Sequence, residues 1–340
     1  MTINSENAFN KTKIGLFSPR SLKIIREQTA LILLIFLIFV GSQVSDVFLT
    51  GQNLLNIIWA VSVLGIVSLG QCILIIACRF DMSVAYSLGL CGIVMVVFQN
   101  LGIPWTISVL IGICTGFFIG AINGIICVKT GANPFLVTLG TGTLIYAASL
   151  TITKSKTVYT PFEAFTEIGR GKLFGVVHYS VAIFILLAIV FEIMLRFTKF
   201  GRSLYVIGLN EKVGKLSGFS VNKIIFAAFL ICGFTASIAS LIVTSRNGST
   251  VANVGLGLEF ESIIAVVLGG TSLFGGSGGA LRTVVGVLVL GVLNNLLILM
   301  NVQTEVQQIV KGSIFLLIVW LDTSLRSRSG IQFLSLQGCS

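Results

Sequence analysis

The sequence predicts an all-α integral membrane protein of about ten transmembrane helices, with both termini cytoplasmic. Three observations predict it. Hydrophobic residues make up 55% of the chain and charged residues only 10%, with a mean hydropathy of +1.02. A soluble domain carries roughly a quarter charged residues, so this chain cannot cover a water-facing surface. Apolar stretches close to the roughly 20 residues that cross a bilayer recur from 31 to 321. Lys and Arg, finally, gather in alternate connections between those stretches.

The elements follow in order. A basic segment, 1–27, with Lys11, Lys13, Arg20, Lys23 and Arg26, precedes the first apolar run. No small-x-small cleavage site follows that run, so 28–45 reads as a retained helix rather than a signal peptide. Further helices are expected near 53–77, 82–98, 104–128, 134–153, 176–195, 222–245, 259–270, 283–301 and 306–322. The stretch 82–128 holds no charge and is too long for one span. Gln99-Asn100-Leu101-Gly102-Ile103-Pro104 divides it. Asn133-Pro134 is good helix-opening chemistry, an amide cap followed by a proline whose missing N–H costs nothing there. The helix at 259–270 is short and bounded by glycine, so re-entrant and broken forms both stay open. Glu259 and Glu261 at its start suit the helix dipole. The membrane domain is thus 28–322, and 323–340 is a cytoplasmic tail.

With the N-terminus inside, the inner connections hold Arg79, Lys129, the cluster across 196–223, Arg282, Arg326 and Arg328. The outer ones hold Lys154, Lys156, Arg170, Lys172, Arg246 and Lys311. The net charge of +10 is then an insertion signature. The cations sit in separate short connections without an aromatic patch, which argues against nucleic acid as a partner and leaves membrane lipid as the surroundings.

Several chemistries are excluded. Seven cysteines are present without a C-x-x-C pair, and most fall in apolar helices as small hydrophobes. His178 has no ligand-spaced neighbour, so no metal or other cofactor is expected. No G-x-x-x-x-G-K-[ST] occurs. The glycine-rich run 269–279 lacks an adjacent lysine and reads as a turn that lets its flanking helices pack closely. No covalent chemistry is expected of this chain.

The polar residues inside apolar helices are the candidates for function. Asp81 is costly in lipid unless paired or wet. It either shapes a polar route or lies at the inner interface, neutralised by Arg79. Thr138, Asn294 and Asn295 join Asp81 as candidates for a solute pathway, with Gln71, Asn123 and Thr141 similar in kind. Buried amides glue helices or line a polar path. Gly112, Gly116, Gly120 and Gly124 recur at four-residue spacing and mark a close helix contact. The segment 192–223 is the one long, polar, cation-rich interruption. Placed inside by its charge, it is a docking surface for a soluble partner.

Read together, these motifs resemble one family, the sugar-type permease subunits of bacterial ATP-binding-cassette importers, those like the ribose permease. Phe80-Asp81-Met82-Ser83-Val84 is similar to its Asp-Leu-Ser-Val-Gly segment, and 133–141 to its Asn-Pro-Phe-x-x-Thr-Leu-Gly-Thr segment. Residues 198–218 resemble its cytoplasmic coupling loop. Residues 264–278 resemble its late glycine-rich signature, and Asn294-Asn295 with Gln307-x-x-x-Lys311-Gly312 extend the match. The likeness runs from about 52 to 312. The chain departs from the pattern at Arg79, Ala85, Arg282 and Leu296, where glycine is usual, and at Val213-Gly214, where paired alanines are. The resemblance implies a pathway built from two permease subunits, alike or different. It implies an ATP-binding subunit docked on the inner side and an extracytoplasmic sugar-binding protein that delivers a monosaccharide. Coupling would fall to Gly201, Arg202, Gly208, Asn210, Glu211 and Gly218. The competing reading is an ion-coupled secondary transporter of a small polar solute. Such proteins place ionisable groups near the midplane, whereas Glu192, Glu259 and Glu261 fall near expected helix ends. A membrane-embedded enzyme would need a catalytic cluster that one histidine does not supply.

Overall fold

A computed structural model describes residues 19–328. Residues 1–18 of the expected basic segment and 329–340 of the expected tail, with Cys339, lie outside the described residues. Helix α1 (Pro19–Val44) leads to α2 (Gly51–Ile76), α3 (Val84–Asn100), α4 (Trp105–Thr130) and α5 (Pro134–Thr153). A connection follows with β1 (Val158–Tyr159), α6 (Glu163–Arg170), β2 (Lys172–Leu173) and β3 (Val177–His178). Next come α7 (Tyr179–Phe197), two short helices α8 (Lys199–Leu209) and α9 (Glu211–Leu216), and α10 (Val221–Asn247). The chain closes with β4 (Ser249–Thr250), α11 (Leu258–Leu268), α12 (Ala280–Leu299) and α13 (Thr304–Arg328).

Six helices are long and apolar enough to cross a membrane: α2, α4, α5, α7, α10 and α12. The sequence expectation of ten is not reached among the described residues. The apolar part of α1 is Thr29–Val44, and α3 has 17 residues, about 25 Å of helix. α11 has only 11 residues. The expected helix at 176–195 starts at Tyr179, because Val177 and His178 pair as β3 with β2. The largest difference lies in 196–223, read as a loop but folded as α8 and α9. Two caps build it. Thr198 Oγ1 accepts from the Gly201 N–H at 3.0 Å, and Asn210 Oδ1 accepts from the N–H groups of Lys212 and Val213.

α2 is the centre of the molecule. All of its residues from Val61 to Ile76 are buried. Around it pack α7, α10, α11 and α12, with α3 and α4 beyond α10. Glycine sets the α4–α10 contact. A Cβ on Gly116 would lie 2.5 Å from the Gly233 carbonyl oxygen, one on Gly120 2.4 Å from that of Phe229, and one on Gly124 2.9 Å from the Phe226 ring. Gly112 instead faces Met95 of α3. The four-residue glycine stripe is therefore a contact within the chain. α11 and α12 approach in the same way, with Gly269 against the Arg282 carbonyl and Gly286 against that of Ala265. Lys311 of α13 pairs with Glu261 of α11 at 2.8 Å. Pairing of β1 with β4 brings the connection after α5 to the end of α10, so these ends share one side of the molecule. Cys72, Cys91, Cys127 and Cys232 are buried free thiols, and Cys114 is exposed.

Candidate functional site

The polar residues singled out in the sequence fall into three places. The first is a buried relay between α2, α3, α4 and α5. Gln71, about 7 Å before the end of α2 by helix rise, brackets the backbone of Asp81. Its Nε2 donates to the Asp81 carbonyl at 2.6 Å, and its Oε1 accepts from the Asp81 N–H at 3.3 Å. The loop 77–83 is thereby folded back into the helices. Thr141 of α5 donates to Asn123 Oδ1 at 2.7 Å. Asn123 of α4 donates to Ser83 Oγ at 2.8 Å, and Ser83 Oγ donates to Asp81 Oδ1 at 2.6 Å. The Ser83 N–H reaches the same oxygen at 2.8 Å. Thr138 Oγ1 accepts from the Met82 N–H at 2.9 Å.

Gln71, Asp81, Ser83, Asn123 and Thr138 are all buried. A buried carboxylate survives when hydrogen bonds replace its water, and the serine hydroxyl and amide supply them here. The pairing of Asp81 with Arg79, one of the two sequence readings, does not occur. Arg79 turns the other way, 2.9 Å from Glu211 of α9. Asp81 and Thr138 thus lie in one closed buried network, Thr138 holding the backbone of Met82 next to Asp81.

The second place is the platform formed by α8 and α9. Gly201, Gly208 and Gly214 are buried on α8 and α9, while Arg202 is exposed. At Gly208 three backbones meet. A Cβ there would fall 1.9 Å from the Ile76 carbonyl and 2.6 Å from the Gly276 nitrogen. The Gly276 N–H donates to that same Ile76 carbonyl at 2.8 Å. Gly275 and Gly276 have φ of +78° and +72°, left-handed backbone that favours glycine. Gly218 has φ +81°, ending α9. Tyr205 of α8 donates to the Gly278 carbonyl at 3.1 Å, and burial raises its phenol to about 12. Glu192 pairs with Arg196 and accepts from the Leu281 N–H at the start of α12 at 3.0 Å. A cavity of about 200 Å³ opens beside the Arg79–Glu211 pair, lined also by Asn133, Asn222 and the α4–α5 turn.

The third place is the opposite end of α2 and α12. Asn295 and Asn53 exchange amide hydrogen bonds at 3.0 and 2.9 Å, joining α12 to α2. Asn294 beside it is half-buried, and its Oδ1 has no hydrogen-bond partner among the described residues. On the same side as β1 and β4, Arg246 lies 4.3 Å over the Trp59 ring and His178 stacks on that ring at 4.5 Å. Asn294 and Asn295 are therefore far along α12 from its Glu192-capped start and do not join the Asp81 relay.

Sequence reasoning missed Ser83 as the partner of Asp81 and Glu211 as that of Arg79. The caps Thr198 and Asn210 were legible signals for α8 and α9. The Arg79–Glu211 pair spans 132 residues, and no local pattern announces it. Among the described residues no group of three or more His, Cys, Asp or Glu could hold a metal ion.

The fold and these sites define a multi-pass membrane protein with a helical platform on one side. The chain belongs to the family described as the branched-chain amino acid transport system / permease component, whose model matches residues 53–319. It is 35% identical over 309 residues to the ribose import permease protein RbsC of Haemophilus influenzae, covering 89% of this chain and 94% of that protein. RbsC of Escherichia coli K12 is 36% identical over 300 residues, 87% and 93% of the two chains. The D-allose transport system permease protein AlsC of Escherichia coli K12 is 31% identical over 295 residues, 86% and 90%. No solved structure gives a significant match. The ion-coupled alternative finds no support in these relatives.

Proposed function

We propose that this chain is the membrane-spanning subunit of an ATP-binding-cassette importer that moves a ribose-like monosaccharide inward by alternating access. The observation that carries the reading is the match to ribose and allose permeases over nearly the whole of both chains. The family description names branched-chain amino acids. Sugar is preferred here because the full-length relatives at 31–36% identity are sugar permeases.

In this reading the protein spans the inner membrane ten times with both termini cytoplasmic. α1, α3, α11 and α13 complete the six longer spans, and α8–α9 lies on the cytoplasmic side. The cations of that platform support the placement. A separate ATP-binding subunit docks there on Arg202, Asn210 and Glu211. Closure is transmitted through Gly201, Gly208 and Gly218. A second permease subunit completes the pathway, and an extracytoplasmic sugar-binding protein delivers the solute. The Asp81–Ser83–Asn123–Thr141 relay, with Thr138, is the inner lock of the pathway. Asn294 and Asn295 belong to its outer end. The chain itself performs no covalent chemistry.

The test is co-purification from native membranes in mild detergent, comparing wild type with Gly201→Asp plus Glu211→Lys. An ATPase subunit retained by wild type and lost by the variant supports the reading. Wild type that holds no ATPase under conditions that keep a known importer intact sinks it.

A further inference from the structure

Between β4 and α11 the chain abandons regular structure and runs irregularly over 251–257 beside α3. Glycine sets the approach. A Cβ on Gly89 would lie 2.8 Å from the Ala252 carbonyl, and one on Gly255 2.4 Å from that of Ala85. Elsewhere on its surface α3 meets α5. The Tyr86 ring occupies the space a side chain on Gly142 would need, 2.7 Å from that Cβ position. Tyr86 therefore lies in a seam with α5 on one side and 251–257 on the other. Leu90, Val94 and Val97 continue the seam at helical spacing, all partly exposed. Tyr146 stands one turn beyond Gly142, its ring 5.8 Å from that of Tyr86 and tilted by 59°. It is about 18 Å along the 20-residue α5, near mid-membrane.

Among the described residues, neither tyrosine hydroxyl nor the Asn253 side chain makes a hydrogen bond, and Asn253 and Leu256 are exposed. Hydrocarbon offers such groups nothing. Irregular backbone at membrane depth persists only where protein covers it or water fills the space. The groups present also fit a particular solute. Two tilted rings offer C–H contacts, and two phenols with an amide exchange hydrogen bonds with hydroxyls. None of the three groups carries a charge that would pair with an anion.

We propose that this seam is the outward half of the solute path, and that Tyr86, Tyr146 and Asn253 hold a neutral sugar there, above the Asp81 lock. The sugar class rests on the importer reading; the aqueous path does not. The test uses the full chain in native membranes with its partners, in a Cys114→Ala background. Tyr146→Cys and Asn253→Cys should each react with a membrane-impermeant maleimide added from the outer side, and D-ribose should slow both reactions severalfold. Phe118→Cys, on the exposed apolar face of α4, should stay unreactive. Tyr86→Phe and Tyr146→Phe, which keep the rings, should lower D-ribose uptake about tenfold each, the factor for one lost hydrogen bond. Failure of both cysteines to react overturns the aqueous path. Reaction without protection, in a chain that imports ribose, overturns the binding site. Reaction in a chain that imports no sugar overturns the sugar as ligand and with it the importer reading.

Discussion

The guanidinium of Arg79 and the carboxylate of Glu211 meet at 2.9 Å, with only 14% and 25% of the two side chains exposed. The pair ties α9 to the loop that carries Asp81 two residues on. Glu211 also holds Lys215 at 3.2 Å. Arg79→Ala or Glu211→Gln should cost about 1 kcal/mol or less of stability, as partly exposed pairs do. If α8–α9 is the surface that couples to an ATP-binding subunit, coupling should suffer more. In a reconstituted complex each single change should weaken stimulation of ATP hydrolysis by the binding protein. The exchange Arg79→Glu with Glu211→Arg should recover part of it. A double-mutant cycle with no interaction between the positions would show that the contact transmits nothing.

Gly208→Ala should be severe for its size. The added methyl meets two backbones, which cannot turn aside as a side chain can. A cost of about 1–3 kcal/mol or more is expected, and, if the platform docks an ATP-binding subunit, loss of that subunit on purification. Gly140→Ala, where nothing lies within 4 Å, is the matched control and should be neutral. Equal thermal shifts in the two variants would contradict the three-backbone junction.

The Asn53–Asn295 pair predicts non-additivity. Asn53→Leu or Asn295→Leu alone strands the other amide and should cost about 1–2 kcal/mol. The double leucine variant should cost clearly less than the sum. Thermal unfolding in detergent measures this directly, and simple additivity would argue that the amides are independent.

Thr138→Val keeps the shape and removes the acceptor of the Met82 N–H. That buried amide would then lack a partner, at about 1–3 kcal/mol. If the relay is the inner lock, Thr138→Ser should retain uptake where Thr138→Val loses it. Comparable uptake in both would leave the hydroxyl without a role.

His178 gives a pH dependence outside the spans. Burial holds its imidazole below the ordinary 6.5; the hydrogen bond to the Arg170 carbonyl pulls the other way, and the charges of Lys172 and Arg246 add smaller downward pushes. A depressed value means that the folded protein binds fewer protons than the unfolded chain in that window. Stability is therefore full above pH 6.5 and falls as pH drops through the lower folded value. The effect is modest because the ring is half-exposed. Melting temperatures between pH 7.5 and 5 should decline less in His178→Gln than in wild type.

The membrane class was legible because composition and apolar run length are local quantities. So was the glycine stripe, whose four-residue spacing is a helix face, and the Asn133 cap, whose Oδ1 accepts from the Phe135 N–H at 2.9 Å. The span count was less legible. Apolarity marks 82–98 and 259–270 equally, yet α11 is 11 residues because the chain before it lies irregularly against α3. The helices at 199–216 were hidden by their polarity, although Thr198 and Asn210 announced them. Arg79 illustrates the deeper limit. A neighbour two residues away suggested a pair with Asp81, but the loop turns the carboxylate inward to Ser83 and the guanidinium outward to α9. Proximity along the chain carries no information about direction once the backbone leaves a helix.

The meeting of Gly208, Ile76 and Gly276 gives the platform the character of a stiff linkage. Side chains between two helices act as springs, since rotamers can yield before backbones move. Here none intervene. A displacement of α8 bears directly on the last turn of α2, and five residues back along that rigid rod stands Gln71, gripping Asp81. A push at the surface thus reaches the buried relay with little slack, and the step size at one end should be nearly the step size at the other.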